Sequence, residues 1–206
     1  MVNRLVMSYM GLRKTIGATG ILLFLLVAIG GMFSGTPIQD SISAYYWTNS
    51  GDVLVGVLFM AGAFLLTYKG YDLMDNVLTI SAGTSAIGIA IFPCFNAVSP
   101  VGYFQLSEKV TGTLHFIFAV LFFVTLSIMS YFQFTKGEEK GRKKKRNLIY
   151  RICGLVMFGM IVVLAVLHIV DAVFSGYNVT YYVEAVMLGA FGVSWLTKGQ
   201  AILKDK

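Results

Sequence analysis

The sequence predicts an all-α polytopic membrane protein, a single bundle of six transmembrane helices with both termini cytoplasmic. Three observations carry this: the composition, the length of the apolar runs, and the placement of the basic residues. Of 206 residues, 57% are hydrophobic and only 13% charged. A soluble domain of that size would be left with an uncovered apolar surface.

The apolar residues come in runs, and a hydrocarbon core of roughly 30 Å takes about 20 residues of helix to cross. Six stretches fit: about 16–33, 53–68, 77–95, 110–134, 148–174 and 181–196. A transmembrane barrel requires alternating apolar and polar positions, whereas Ile21–Ile29 and Met157–Leu167 are apolar on every face. Arg13 and Lys14 lead into a first run of full spanning length with no clear small-x-small cleavage site after it, so the segment reads as a retained helix.

Orientation follows from the bias of Lys and Arg toward cytoplasmic loops. With six spans, fifteen of the sixteen basic residues fall on one side and only Lys109 on the other. The localisation expected is a bacterial cytoplasmic (inner) membrane. The stretch Lys136–Arg146 reads as a flexible solvated loop that holds the topology; its other reading is attraction to anionic lipid at roughly 1 kcal/mol per basic residue. Nucleic-acid binding is not expected, since topology accounts for the net charge of +6 and no aromatic platform accompanies the basic run.

Within the spans, the third is rich in small residues from Thr79 to Gly88, which let helix backbones approach in lipid, and Pro93 is placed to end it. Cys94 and Cys153 belong to opposite ends of the bundle, too far apart for a disulfide. Spans two and six both run from an outer acid to a Leu-Thr-(Tyr)-Lys-Gly end, a weak internal similarity.

Ionisable residues inside spans are costly and face a partner or a cavity. His115 lies six residues inside Lys109, and His168 six residues inside Phe174. At 1.5 Å per residue both are about 9 Å below the outer helix ends. Asp171 shares a helical face with His168, and Asp52, Glu108 and Glu184 lie near outer helix ends. The expectation is a polar pocket of Asp52, His115, His168, Asp171 and Glu184 at the outer leaflet.

Several chemistries fit such a set. His115, His168 and Asp171 have the ligand types that zinc accepts, and a metal-bound water would attack a lipid ester or amide. The two histidines at matched depth fit the axial positions of a haem b. An Asp171–His168 pair fits proton transfer or activation of a hydroxyl such as Ser43. A polar network that satisfies itself and locks the helix ends fits as well, with no cofactor. Retinal-type chemistry is excluded by the lack of a lysine deep in a span, and no span carries the central break or inner charge relay of a carrier.

The first external loop, Pro37 to Asn49, contains Ser43, Tyr45, Tyr46 and Trp47. Tyr and Trp favour the headgroup layer, so this loop is expected to cover the polar cluster, either as a lid or as an aromatic anchor.

Ser-Ile-Ser-Ala-Tyr-Tyr before Asp52, Leu66-Thr67-Tyr68-Lys69-Gly70, Ala90-Ile91-Phe92-Pro93, and Leu114-His115 with Ala119 and Phe122-Phe123 resemble a bacterial six-span membrane protein family of unknown function. More distantly the chain is similar to the superfamily of DRAM autophagy modulators, Sfk proteins and GPI-anchor remodelling factors. That resemblance spans most of residues 17–199 and implies six helices, an external first loop, a histidine on span four, and a role in membrane-lipid organisation. The partners expected are membrane lipids. A lipid-binding protein and a metal-dependent lipid hydrolase both remain consistent with the residues.

Overall fold

In a computed structural model, residues 8–169 and 178–204 are described, without the side chains of residues 168 and 169. The elements are α1 (Tyr9–Phe33), a 3-10 turn (Ser43–Trp47), α2 (Gly51–Thr67), α3 (Leu73–Ile91), α4 (Glu108–Ile128) continuing into a π turn (Met129–Gln133), α5 (Arg142–Ile169) and α6 (Val179–Lys198). Five of these helices are long and apolar enough to cross a membrane, and α2 is a shorter apolar helix of 17 residues.

Two helices begin well before their apolar runs, and this moves two expected boundaries. Ser8 caps α1 by accepting the Gly11 N–H, so the helix begins seven residues before the apolar run at Ile16. At α5 the helix begins at Arg142, so Arg142–Arg146 are its first turn and not a flexible loop. As expected, α3 stops just before Pro93, with Phe92 extended at its C-cap.

Each helix packs against its neighbours in chain order, and α6 returns to α1, closing a six-membered ring. Small residues set the two closest seams. A Cβ on Gly17 would lie 2.7 Å from the Leu196 backbone nitrogen, and one on Gly192 2.7 Å from the Gly17 carbonyl oxygen. Between α2 and α3, Gly62 and Gly83 each present their carbonyl 2.9 Å from where the other's Cβ would be. In lipid, where apolar side chains gain nothing by leaving the solvent, such close approach is what holds helices together. The small residues of α3 make it the most buried of the five spanning helices, yet it is one wall of the ring rather than its centre.

The interior of the ring is filled by Leu58, Ala86, Phe122, Leu126, Met187 and Phe191. Hydrophobic residues such as Ile117, Leu121, Leu155 and Val162 face outward, the arrangement of a bundle whose solvent is lipid.

Candidate functional site

The segment between α1 and α2 enters the bundle instead of lying over it. Ile42 and Tyr45 are core residues, Tyr45 with no exposed surface. The Trp47 indole N–H donates to the Cys94 carbonyl at 3.2 Å, and the Tyr181 N–H takes the Asp40 carbonyl at 2.9 Å. The aromatic residues therefore wedge one helical turn between the ends of the helices. They are neither a lid nor a headgroup anchor alone, because Tyr45 packs on Tyr181 and against Gly31.

That wedge places Ser43 beside His115. His115 Nε2 lies 2.9 Å from Ser43 Oγ, and Nδ1 lies 2.7 Å from the Phe92 carbonyl oxygen. A carbonyl only accepts, so Nδ1 carries the proton and Nε2 accepts from the Ser43 hydroxyl. The Phe92 carbonyl is available for this because the chain leaves the helix at Pro93. Cys94 completes the arrangement, its thiol donating to the Ser43 carbonyl at 3.3 Å.

Glu184 approaches from α6. Its Oε2 accepts the Ile42 N–H at 2.6 Å, and the Ser43 N–H is directed at the same carboxylate. The Ala44 N–H is used by Ser41 Oγ at 3.0 Å. The N–H groups of Ile42, Ser43 and Ala44 are thus already engaged by side chains.

A cavity of about 530 Å³ opens from these groups between α4, α5 and α6. Ser43, His115 and Glu184 stand at its polar end, and Phe116, Val120, Phe123, Ile161 and Leu164 among others form its apolar walls. Its size is that of an ordinary small-ligand site. Gly112, His115 and Ala119 follow one another at helical spacing on α4, and the two small residues leave the room that the cavity occupies.

Of the expected pocket residues, the structure brings His115 and Glu184 together and adds Ser43. Asp52 is apart: it is exposed in the first turn of α2, where a carboxylate complements the helix dipole, and it does not line the cavity. The side chain of His168 and all of Asp171 lie outside the described residues. Among the described residues the partner of Ser43 is His115. Among the described residues no three metal-binding side chains gather. Both nitrogens of His115 are committed, so zinc or haem iron at Nε2 would have to displace Ser43.

Set against known protein families, curated proteins and solved structures, the chain matches none. Phe92, Cys94, Ala119 and Phe123 were named in the sequence but not assigned to the pocket, although the Gly112-His115-Ala119 spacing carries a readable signal.

Proposed function

We propose that this chain is a six-span protein of a bacterial cytoplasmic membrane, both termini cytoplasmic, that binds a membrane lipid at its outer end. The apolar chain occupies the cavity between α4, α5 and α6, and the polar head meets Ser43, His115 and Glu184. The observation that carries this reading is the cavity itself: an apolar chamber of about 530 Å³ that ends on three polar side chains. The resemblance to six-span proteins linked to lipid organisation accords with it. So does the charge pattern, with fifteen of sixteen basic residues on the opposite side from this end.

Native mass spectrometry of the gently extracted protein tests it. Phospholipid retained at one per chain, and lost when Ala119→Trp fills the cavity, is the expected result. A wild type that carries no lipid overturns it.

A second reading, lipid ester hydrolysis, is favoured by the Ser43–His115 geometry. As Ser43 Oγ attacks an ester carbonyl its proton passes to His115 Nε2, which returns it to the leaving alcohol, while the Phe92 carbonyl holds the ring in the required tautomer. What counts against it is the absence, among the described residues of the turn, of a free pair of N–H donors for the oxyanion. Labelling of Ser43 by a fluorophosphonate, abolished in His115→Ala, is the outcome that would replace binding by hydrolysis.

A further inference from the structure

The opposite end of the bundle, some 27 Å away along α1, gathers charge of one sign. Arg13 near the start of α1, Lys136 beyond the π turn, Lys143 and Arg146 in α5, and Lys198 at the end of α6 line a single cavity of about 420 Å³. No carboxylate lines it among the described residues. Lys136, Lys143 and Arg146 come from one basic stretch, and the fold brings Arg13 and Lys198, from the two far ends of the chain, to join them.

What holds them is mostly neutral. Arg13, 5% exposed, donates to the Tyr68 and Tyr71 hydroxyls at 3.2 Å each and lies 4.4 Å from the centre of the Tyr9 ring. Lys143 donates to the Phe134 carbonyl at 2.8 Å, and the Lys198 ammonium lies 4.9 Å from the centre of the Phe134 ring. Carbonyls and aromatic faces orient cations without cancelling their charge. Asp72 pairs with Lys136 from outside. For Arg13, Lys143 and Lys198 no carboxylate is within ion-pairing distance among the described residues; Glu139 and Asp75 act on Lys143 and Lys198 only from further off.

A second feature points into the same space. The π turn adds a residue to the last turn of α4, with the Phe134 N–H reaching back to the Met129 carbonyl, and it sets Gln133 in the cavity wall. Gln133 is 8% exposed and its Oε1 has no hydrogen-bond partner. Turned over, the same amide presents N–H donors to an acceptor in the cavity.

We infer that this cavity binds a phosphate-bearing anion. Like charges gathered away from bulk water repel at a cost that an anion between them reverses, and guanidinium and ammonium groups make their strongest hydrogen bonds to phosphate oxygens. The phosphate comes either from a lipid headgroup, with the cavity at the edge of the bilayer, or from a free phosphate in solution.

The test uses the purified full-length chain with two probes: pyrophosphate, read by thermal melting in detergent, and phosphatidic acid in phosphatidylcholine nanodiscs, read by native mass spectrometry. Binding is expected to weaken about tenfold in Lys143→Gln, to recover in Lys143→Arg, and to stay unchanged in Lys145→Gln, an exposed lysine two residues away that does not line the cavity. Binding of pyrophosphate alone supports the site and assigns a soluble phosphate; retention of phosphatidic acid alone supports it and assigns a headgroup. Failure to bind either probe overturns the inference, as does an equal loss in Lys145→Gln, which would reduce the effect to diffuse surface charge.

Discussion

The two ends of this bundle, outer and inner in the proposed orientation, solve the same problem, a few polar groups beside lipid, in opposite ways. At the outer end the polar groups that meet the cavity find partners of matching character: the Ser43 hydroxyl meets the His115 imidazole, His115 meets the Phe92 carbonyl, and Glu184 meets the Ile42 N–H. At the inner end, cations face aromatic rings and carbonyls, and among the described residues no carboxylate is within ion-pairing distance of Arg13, Lys143 or Lys198. One end is closed on itself by hydrogen bonds and offers apolar room; the other is held open by repulsion and offers charge.

If hydrogen bonding holds the outer end, Glu184→Ala should be the most damaging change. It strands the Ile42 N–H, and a buried donor left without its partner costs about 1–3 kcal/mol. The expected loss of stability is about 2–3 kcal/mol in chemical denaturation, most of it recovered in Glu184→Gln, whose amide oxygen still accepts. An unchanged stability in Glu184→Ala would mean that the wedge is held by packing alone.

Ser43→Ala should cost less, about 1 kcal/mol, because it leaves only the Nε2 lone pair of His115 unpaired. The same variant separates the two proposed functions. Lipid retention should weaken but persist, since one contact to the head is lost and the apolar walls are untouched, whereas fluorophosphonate labelling would be abolished.

The sequence carried the outer end only in part, and the reason is geometric. Run length and periodicity place helices, and so put His115 and Glu184 at the same end of the bundle, where both line the cavity. They say nothing of how a loop folds, and the pairing of Ser43 with His115 depends on a single 3-10 turn inserted between helices and on the break at Pro93 that frees the Phe92 carbonyl. Asp52 went the other way: it has the right depth but the wrong face of α2. The inner cavity was less legible still. Arg13, Lys143 and Lys198 satisfy the same topological rule as Lys144 and Lys145, and only the ring closure between α1 and α6, with Arg142–Arg146 helical rather than looped, separates those that converge from those that face solvent.

For the inner end the corresponding test is ionic strength. Repulsion between Arg13, Lys143 and Lys198 is relieved as salt rises, on the scale of a Debye length that falls from about 30 Å at 0.01 M to about 10 Å at 0.1 M. Melting of the wild type should therefore rise with sodium chloride over that range. In Lys198→Met, which keeps an apolar chain against Phe134 but removes its charge, the rise should be smaller. Equal slopes would mean that the inner cations do not sense one another, and the contrast between the two ends would fail.

The smallest effect belongs to the exposed pair at the rim of that cavity, where Lys136 bonds Asp72 at 2.5 Å. The Lys136 ammonium first, and the Asp75 backbone N–H second, hold the Asp72 carboxyl below the usual range for an aspartate. A carboxyl whose folded value is lowered adds stability above its unfolded value and loses it as pH falls through the folded one. Asp72→Asn keeps the cap on α3, because Asn caps a helix as well as Asp does, and removes only the charge. The difference in melting temperature between wild type and Asp72→Asn should thus be present at about pH 7, shrink below about pH 4 and vanish once Asp72 is protonated. Both partners are close to half exposed, so solvent screens the pair and the difference should stay at the edge of detection. A large difference would show that Asp72 acts on the cations inside the cavity as well, and that the inner end is less short of negative charge than its lining implies.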